Sequence, residues 1–334
     1  MTSWKFIAAA ALTGAFAATA AVAEPVKIRI HWAQVPGHLA PVIAKVPGHV
    51  QPHYGKSYIV VPSFIAGSGP ALQALAAGEL ELSGLSPQSI ALAQLEAKLD
   101  LRVIGHQFST EVPGYASSSF WVNKDEIQKI EDLRGKKIGV NARASTIDAA
   151  VRTMLLRHGM EDGKDYQIVE VRFPAQFAAL KAKRIDLAIL LKPNDEPAKT
   201  DPTLKPLFSI GDALGPSETI TWVGKADWVA KNRAVLVDFI EDSIRFRKWA
   251  SDPKTQPEAA KIVAEIAKQP LARYSYVYTK EDNYYDPNAM VNVTRMQKNI
   301  DDLVKIKLLP ASIDVSKVVD LSIAREAAAR VKTN

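Results

Sequence analysis

The chain has 334 residues, of which 47% are hydrophobic and 23% charged, with 17 glycines and 20 prolines. These values are typical of a globular protein of about two domains, and they argue against disorder, collagen, a coiled coil or a multi-span membrane protein. Lys and Arg (42) exceed Asp and Glu (36) by six, and the excess is spread along the chain, so we expect no nucleic acid partner. Cysteine is absent, which excludes disulfides, thiolate metal ligands and a cysteine nucleophile.

The first 23 residues have the pattern of an export signal. Lys5 precedes an apolar stretch, and Ala21-Val22-Ala23 has the small-x-small spacing of a cleavage site before Glu24. The apolar stretch is too short to span a bilayer as a stable helix, and no second hydrophobic run of ~18 residues follows it. We therefore expect a signal peptide at residues 1–23, cleavage after Ala23, and a mature protein in a bacterial periplasm.

After the leader, strand and helix patterns alternate. Apolar and polar residues alternate at residues 26–30, which indicates a strand, and a helix-forming stretch rich in Pro and His follows. Further strands are predicted at residues 57–64 and 80–85. Between these strands lies a short helix, with Pro70 at its start and Gly78 just after its end. Strands joined by helices in this way pair in parallel, so the pattern predicts an α/β fold.

A second unit repeats this order further along the chain. Its strands are predicted at residues 137–140, 167–171 and 185–190, and its helices at residues 147–158 and 175–182. Residues 75–82 also align with residues 180–187, an offset of 105 residues, with the helix end, an acidic residue and the strand in register. Two similar lobes are the simplest interpretation. The C-terminal third is predicted to be mostly helical, at residues 234–249, 257–268, 288–306 and 315–321.

A loop after the second strand could bind an anion. Helix N-termini present unpaired N–H groups and a partial positive charge, so they attract anions without a basic side chain. The glycines of Gly67-Ser68-Gly69 let the backbone approach a ligand closely, and Ser68 adds a hydroxyl. The loop follows a strand directly, and in open α/β sheets ligands bind beyond the carboxyl ends of the strands.

The corresponding loop of the second unit has similar features. Ser145 and Thr146 open its first helix, and Arg143 could add a guanidinium. Asp148 lies three residues after Ser145, so the pair can form a capping box that satisfies free backbone N–H groups. The two loops could therefore bind one anion together, or each loop could simply cap its own helix.

Aromatic and histidine residues give weaker signals. Trp121 and Trp222 lie in strand-like segments and could pack in the core, whereas Trp32 follows the first strand and is the best aromatic candidate for ligand contact. His49 and His53 have a spacing that can bind a metal on a helix, but nearby prolines disfavour a helix there, and we expect no metal site. The sequence has no nucleophile elbow, P-loop or dinucleotide fingerprint, so we expect no catalytic residues and no cofactor.

Several motifs resemble those of a known family. Residues 64–70 (FIAGSGP) and 74–81 (ALAAGELE) are similar to its F-x-x-G and A-L-x-x-G-x-x-D segments, and residues 84–87 (GLSP) match its next loop. Residues 132–140 (DLRGKKIGV) are similar to the D-L-K-G-K-K-V-x-V signature that opens its second lobe, and residues 300–322 resemble its C-terminal tail. The chain thus resembles the substrate-binding proteins of ABC importers of the nitrate/sulfonate/taurine type.

The resemblance implies the type II periplasmic-binding fold. In that fold, each of two lobes is a mixed or parallel sheet flanked by helices, and the lobes close on a ligand in the cleft between them. Lobe one would comprise residues 24–122 and 222–334, and lobe two residues 123–221. The chain would cross between lobes at residues 119–123 and 219–224.

The resemblance also implies a set of ligand-binding residues. The family's contacts correspond here to Trp32, Gln34, Gly67, Ser68, Gly69, Ser86, Ser145 and Thr146. Lys192, Asn194 and Asp195 occupy a further corresponding loop, and Arg143, Lys192 and Asn194 complete the candidate set. The roles of Lys192, Asn194 and Asp195 are open, because LLKP at residues 190–193 replaces a more common Trp-containing sequence. Lys183 is a second departure, since it stands where the second lobe usually has Gly.

The implied function is solute capture for an ABC importer. A monomer would bind a small organic anion, such as a sulfonate or a carboxylate, and deliver it to a membrane permease with a cytoplasmic ATPase. One alternative is a binder of a neutral pyrimidine-type precursor, with Trp32, Trp121 or Tyr115 stacking on the ring. Another is an enzyme of the pyrimidine-precursor synthase type on the same fold, although such enzymes use a cysteine-containing motif that this chain lacks.

Overall fold

The computed structural model describes residues 24–333. Residues 1–23, where we predict the signal peptide, and residue 334 lie outside the described residues. The strands are β1 (Val26–Trp32), β2 (Tyr58–Phe64), β3 (Leu82–Leu85), β4 (Leu101–Thr110), β5 (Ser119–Asn123), β6 (Lys137–Val140), β7 (Gln167–Glu170), β8 (Leu187–Leu190), β9 (Leu204–Ser209) and β10 (Ser217–Lys225).

Helices connect most of these strands and form the C-terminal part of the chain. They are α1 (Ala40–Ile43), α2 (Ser68–Ala76), α3 (Pro87–Leu95), α4 (Thr146–Arg157), α5 (Phe173–Lys181), α6 (Glu196–Thr200), α7 (Ile210–Leu214), α8 (Ala226–Lys231), α9 (Arg233–Ser251), α10 (Gln256–Ala267), α11 (Val293–Lys305) and α12 (Leu321–Thr333). Within residues 24–333, no helix combines the length and the apolar character that crossing a membrane would require.

The first sheet has the strand order β2-β1-β3-β10-β4. β1 pairs in parallel with β2 and β3, whereas β10 runs antiparallel to β3 and β4. Ile28 and Ile30 of β1 are fully buried, and they belong to a core that includes Phe239 of α9 and Ile323 of α12. The C-terminal helices therefore cover this sheet, because its apolar residues must be removed from water.

The second sheet has the strand order β7-β6-β8-β5-β9. β6 pairs in parallel with β7 and β8, whereas β5 runs antiparallel to β8 and β9. Both sheets thus consist of three parallel strands followed by an antiparallel strand and an edge strand. This arrangement confirms the predicted α/β fold of two similar units, each a mixed sheet flanked by helices.

The internal repeat is confirmed at the predicted offset. α2 ends at Ala76 and β3 begins at Leu82, and α5 and β8 have the same bounds 105 residues later, at Lys181 and Leu187. The similarity in sequence is weak, but the helix end and the buried strand are set by local patterns that both units keep.

The crossovers between the sheets differ from the prediction. We predicted them at residues 119–123 and 219–224, but β5 pairs within the second sheet and β10 within the first. The chain passes between the sheets at residues 111–118 and 215–216 instead. The lobe boundaries predicted after residues 122 and 221 therefore lie inside these two strands. The strand-like sequences that we predicted as crossovers are the antiparallel strands β5 and β10. The chain crosses between the sheets in the irregular segments that precede these strands.

Most of the predicted elements are confirmed within a few residues, but two predicted helical stretches differ, and β4, β9, α3, α6, α7 and α8 were not predicted. β4 was missed because eight consecutive residues, from Val103 to Thr110, are buried, so apolar and polar residues do not alternate there. The helix-forming stretch after β1 contributes only the single turn of α1. The amphipathic pattern at residues 315–321 belongs to a short 3-10 turn, Val315–Lys317, and α12 begins only at Leu321.

Gly78 and Lys183 occupy equivalent turns after α2 and α5. Both residues have a left-handed backbone, with φ angles of 77° and 53° respectively. Glycine adopts this conformation without steric cost, whereas a Cβ atom crowds the backbone there. The ammonium group of Lys183 pairs with the carboxylate of Glu126 at the surface, where ion pairs contribute little stability. The backbone at Lys183 is therefore strained, whereas the equivalent backbone at Gly78 is not.

We expect Lys183→Gly to raise the melting temperature by about 1–2 °C, because relief of backbone strain exceeds the loss of a surface ion pair. Differential scanning calorimetry would measure the change. Glu126→Gln is the matched control, since it removes the ion pair and leaves the backbone of Lys183 strained. A lower melting temperature for Lys183→Gly than for Glu126→Gln would contradict this explanation.

A buried polar cluster lies between β4 and β10. Glu218 is only 1% exposed, and its Oε2 accepts a hydrogen bond from Ser109 Oγ at 3.1 Å. His106 Nε2 lies 3.0 Å from Ser109 Oγ, and Arg295 Nη1 lies 3.6 Å from Glu218 Oε2. Burial raises the pKa of Glu218 to about 7, although Arg295 acts in the opposite direction. The first sheet therefore holds a carboxyl group that favours its protonated form when folded.

This cluster predicts a specific dependence of stability on pH. The folded state binds the Glu218 proton up to about pH 7, whereas the unfolded chain releases it near the ordinary value of 4.5. The free energy of unfolding should therefore fall as pH rises between these values, by up to roughly 1 kcal/mol per pH unit. Glu218→Gln should remove this contribution, which chemical denaturation of both proteins from pH 4.5 to 8 would measure. Parallel pH profiles would contradict the assignment.

Candidate functional site

A cleft between the two sheets contains about 900 Å³ of empty space, part of it open to solvent. From the first sheet and its loops, it is lined by residues that include Gln34, Ser68, Phe108 and Thr219. From the second, it is lined by residues that include Asn141, Ser145, Thr146 and Lys192. The cleft thus lies where the carboxyl ends of the parallel strands of both units meet, the usual ligand position in such sheets.

The first helix N-terminus at the cleft is that of α2. β2 ends at Phe64, and the chain turns through Gly67 into the helix, which begins at Ser68. Ser68 is 2% exposed, and its Oγ accepts a hydrogen bond from the backbone N–H of Ser86 at 3.2 Å. Since the hydroxyl accepts that bond, its hydrogen can be donated to a ligand.

The second helix N-terminus at the cleft is that of α4. Ser145 Oγ accepts a hydrogen bond from the backbone N–H of Asp148 at 3.2 Å, as predicted for a helix cap. The reciprocal half of the capping box differs, because Asp148 Oδ2 accepts from Ala144 N at 3.0 Å instead of from Ser145 N. Asp148 also pairs with Arg152 one turn later, at 2.9 Å. The cap therefore orders the loop before α4 as well as its first turn.

The two helix N-termini are held together by direct contact between their loops. A Cβ atom added at Gly69 would lie 2.4 Å from the carbonyl oxygen of Arg143, and one added at Gly67 would lie 2.7 Å from Ala142 Cβ. Such distances do not occur between real atoms, so these positions require glycine. Asn141 Nδ2 donates to the carbonyl of Ala66 at 2.8 Å and thereby links the two loops.

Further hydrogen bonds join the two units around this contact. Thr146 Oγ1 donates to the carbonyl of Thr219 at 3.3 Å. The carbonyl of Ala144 accepts from Ser86 Oγ at 3.2 Å and from Ser89 Oγ at 2.6 Å. The structure therefore corresponds to a closed arrangement, in which polar groups of one unit are satisfied by the other.

The charged side chains of the cleft are mostly acidic. Asp195, Glu281 and Asp282 line it, and Lys192 is the one cationic side chain among the described lining residues. Lys192 Nζ lies 3.2 Å from Glu281 Oε2 and 5.1 Å from the centre of the Tyr276 ring. Because Lys192 is already paired, the positive potential in the cleft comes mainly from the N-termini of α2 and α4.

Burial shifts the pKa values of two titratable groups in the cleft. It lowers the pKa of His38 to about 4, so the imidazole is neutral at pH 7. Within the described chain, neither ring nitrogen of His38 has a partner in hydrogen-bond geometry, and the ring packs against Phe108 at 5.8 Å. Burial also raises the pKa of Asp282 to about 6, although this carboxylate accepts from Tyr278 N at 2.8 Å and from Tyr285 Oη at 3.2 Å.

Six of the predicted site residues line this cleft together. They are Gln34, Gly67, Ser68, Ser145, Thr146 and Lys192. Asp195, whose role was open, also lines it, and its Oδ1 is buried without a hydrogen-bond partner in the described chain. Ser68 and Ser145 are 77 positions apart in the sequence, yet both line this cleft. The prediction of a common site requires this proximity.

Five predicted site residues are not among those that line the cleft. The Trp32 ring packs edge-on against Phe64 at 5.1 Å, because the alternation of β1 turns it onto the first core. The Arg143 side chain is 51% exposed and pairs with Asp162 at 2.7 Å. Gly69 and Ser86 instead hold the loops in contact, through Arg143 and Ala144.

Asn194 and the two remaining aromatic candidates, Trp121 and Tyr115, also lie outside the lining of the cleft. Asn194 donates its backbone N–H to the carbonyl of Leu191 at 2.7 Å and does not line the cleft. Trp121 is 8% exposed and belongs to a core with Leu180 and Leu190. Tyr115 lines a separate cavity with Tyr284. None of the three therefore contacts the cleft in this structure.

The structure adds residues that the sequence did not indicate. Phe108, Phe173 and Tyr276 supply aromatic surface to the cleft, and Glu281 and Asp282 supply acidic groups. Phe108 lies on β4, which was not predicted, and the last three lie in the irregular segment between α10 and α11. Irregular segments have no periodicity, so only the position of the folded chain could place them here.

One group of side chains has the composition of a metal site, away from the cleft. His53, Asp238 and Glu241 each offer a ligand atom, and these atoms lie within 4.8 Å of one another. Arg330 Nη1 lies 3.0 Å from Asp238 Oδ1 and 3.9 Å from Glu241 Oε2. The guanidinium already supplies positive charge to these carboxylates, so the cluster fits an ion-pair network better than a cation site. His49 is exposed, and the helix that would align it with His53 does not form.

Solved structures share this fold at low sequence identity. The alkanesulfonate-binding protein SsuA from Xanthomonas axonopodis pv. citri, solved with bound MOPS, has a TM-score of 0.67 and 17% identity, covering 90% of this chain and 100% of that one. The periplasmic nitrate-binding protein NrtA from Synechocystis PCC 6803 has a TM-score of 0.70 and 17% identity, covering 93% of this chain and 90% of that one. The desulfurization enzyme DSZB has a TM-score of 0.61 and 15% identity, covering 92% and 99%.

These similarities show the fold, which is that of periplasmic binding proteins, and they include an enzyme as well as binding proteins. No curated protein sequence matches the chain. A family profile described as NMT1/THI5 like matches residues 61–245, which is more than half of the chain. The match extends from β2 to the middle of α9 and includes both loops that meet at the cleft. The chain therefore belongs to the NMT1/THI5-like family.

Proposed function

We propose that this protein is the periplasmic solute-binding component of an ABC importer and captures a small organic anion, a sulfonate or a carboxylate. The observation that carries the proposal is the shared cleft, in which the N-termini of α2 and α4 come from different units. Free N–H groups at both termini can donate to one anionic group, and both helix dipoles favour its negative charge.

The remaining lining suits the organic part of such a ligand. Phe108, Phe173 and Ile147 offer apolar surface, while Gln34 and Asn283 offer polar groups that can fix orientation. The only lining cation in the described chain, Lys192, is paired with Glu281, so recognition would rest on backbone N–H groups, which are fixed in direction. A compact anionic group would therefore be selected by geometry as well as by charge.

Ligand binding would be coupled to closure of the two lobes. From the membership of the strands in the two sheets, we propose that residues 24–118 and 215–333 form one lobe and residues 119–214 the other. A ligand that contacts both helix N-termini can do so only in the closed arrangement, so it shifts the population toward that state. The closed monomer would then dock onto the permease, after export and removal of residues 1–23.

A neutral ring-containing solute is the second candidate. Asp195, Glu281 and Asp282 outnumber the single lysine of the described lining, which disfavours a ligand of high negative charge. Buried polar atoms without partners in the described chain, Asp195 Oδ1 and Tyr276 Oη, could bond to ring substituents. A pyrimidine-type precursor would then lie between Phe108 and Tyr276 instead of on Trp32, Trp121 or Tyr115, which the sequence suggested.

A thermal-shift panel separates the two candidates. Sulfonates and carboxylates should raise the melting temperature by several degrees at concentrations far above the dissociation constant, because they bind only the folded state. Neutral heterocycles of matched size serve as the control set. Stabilisation by the heterocycles alone would refute the proposed anion and favour the second candidate.

The anion proposal also predicts the effect of removing the hydroxyls at α4. Ser145→Ala combined with Thr146→Ala should weaken binding of the identified ligand by at least ~1 kcal/mol, about fivefold in Kd, measured by titration calorimetry. The change disturbs the helix cap and the bond to Thr219, so both anion contact and closure suffer.

The matched control for that variant is Ser209→Ala. Ser209 caps α7 in the same way, by accepting from Asp212 N at 3.0 Å, but it does not line the cleft. Its loss should lower the melting temperature with little change in ligand affinity. Equal affinities for the double variant and the unchanged protein would remove the α4 terminus from the site.

A further inference from the structure

A second cavity lies apart from the cleft and has an aromatic lining. It contains about 790 Å³ of empty space, including space open to solvent. Its aromatic residues are Tyr115, Phe246, Tyr278, Tyr284 and Tyr285. They come from the segment that connects the sheets, from the end of α9 and from the chain before α11, so the cavity is built by three separate parts of the fold.

The rings of this cavity already pack with one another in ordered pairs. Tyr278 meets Phe246 edge-on at 5.3 Å and Tyr285 at 5.2 Å, and Tyr115 meets Tyr284 at 5.2 Å. Phe246 and Tyr278 are buried in these pairs, whereas Tyr115, Tyr284 and Tyr285 are partly exposed and can offer ring surface to a further aromatic group. Within the described chain the buried hydroxyl of Tyr278 has no hydrogen-bond partner, so it can still donate to a ligand.

A buried guanidinium lines the same cavity. Arg247 is 5% exposed, and its hydrogen bonds go to neutral groups, namely Ser243 Oγ and the backbone carbonyls of His106, Gln107 and Asp286. Desolvation lowers the pKa of Arg247 to about 10, so the group remains a cation at pH 7. The carboxylate of Asp286 acts on this charge electrostatically, but within the described chain no carboxylate forms a hydrogen bond with it, so an anion in the cavity could do so.

The charged side chains that line the cavity are cationic, although the carboxylates of Asp282 and Asp286 lie next to it and accept hydrogen bonds from Tyr285 Oη and Tyr284 Oη. Arg247 and Lys248 line it, and no aspartate or glutamate is among its described lining residues. Lys280 adds a third cation, since its Nζ lies 3.9 Å from the centre of the Tyr115 ring. The cleft, in contrast, has three acidic residues and one paired lysine in its described lining.

We propose that this cavity is a second binding site, for a small aromatic anion such as an aromatic carboxylate. The ring of the ligand would pack on the tyrosines, and its carboxylate would lie near Arg247, Lys248 and the hydroxyl of Tyr278. An aliphatic anion would lack the ring contacts, and a neutral aromatic compound would lack the charge.

The cavity borders the cleft without being part of it. Asn283 lines both, and Tyr115 directly precedes Ala116, Ser117 and Ser118, which line the cleft. An aromatic carboxylate could therefore bind at either place, so the test must separate the two sites. Variants at the rim of each site make this possible, because Ser251 and Lys248 are exposed and line the second cavity but not the cleft.

The experiment is titration calorimetry of benzoate, benzamide and acetate with the mature protein. Benzoate should bind, and benzamide and acetate should bind at least ~10-fold more weakly, since each lacks one of the two kinds of contact. Ser251→Trp, which fills the rim, should weaken benzoate binding at least ~10-fold, and Lys248→Gln should weaken it to a smaller extent. Lys261→Gln, an exposed lysine on α10, is the control for loss of charge.

The Ser145→Ala and Thr146→Ala double variant shows which site holds benzoate. If benzoate binds the double variant with unchanged affinity but binds Ser251→Trp poorly, the second site is supported. This conclusion does not depend on which ligand the cleft binds. If the double variant loses benzoate and Ser251→Trp retains it, benzoate occupies the cleft and the second site is refuted. Absence of benzoate binding to the unchanged protein also refutes it, while the ligand panel judges the cleft separately.

Discussion

The backbone contact between the two loops at the cleft is the constraint on which the site depends. Gly69 can approach the carbonyl of Arg143 only because it lacks a Cβ atom. This approach brings the N-termini of α2 and α4 to one space and allows Asn141 to bond the carbonyl of Ala66. The cleft is therefore closed by main-chain complementarity, and the side chains that line it are arranged around that contact.

In the two sites that we propose, a charged solute would be bound in different ways. The cleft would bind its solute through N–H groups at helix termini, and its acidic side chains would disfavour a ligand of high negative charge. The aromatic cavity would bind its solute through the full charge of Arg247, which the fold buries among carbonyl groups. Fixed dipoles favour a compact anionic group in a set orientation, whereas a guanidinium beside tyrosine rings favours a planar anion.

The sequence allowed prediction of elements whose signals are local. Alternation at β1, the positions of Pro70 and Gly78 around α2, and the cap of α4 at Ser145 are each read within a few residues, so their bounds were close to the structure. β4 has no such signal, because polar residues such as His106 and Gln107 are buried beside apolar ones. Phe108, which lies on β4, was therefore missed together with its strand.

By itself the sequence determined two α/β units, their weak repeat and the two loops that could bind an anion. The tertiary structure alone decided which candidates share the cleft, since it placed Trp32 against Phe64 and paired Lys192 with Glu281, 89 residues away. It also brought Tyr276 and Asp282 to the cleft from a segment without periodicity. The reason is physical: caps and strands depend on neighbouring residues, whereas the lining of a cavity depends on how distant segments pack against one another.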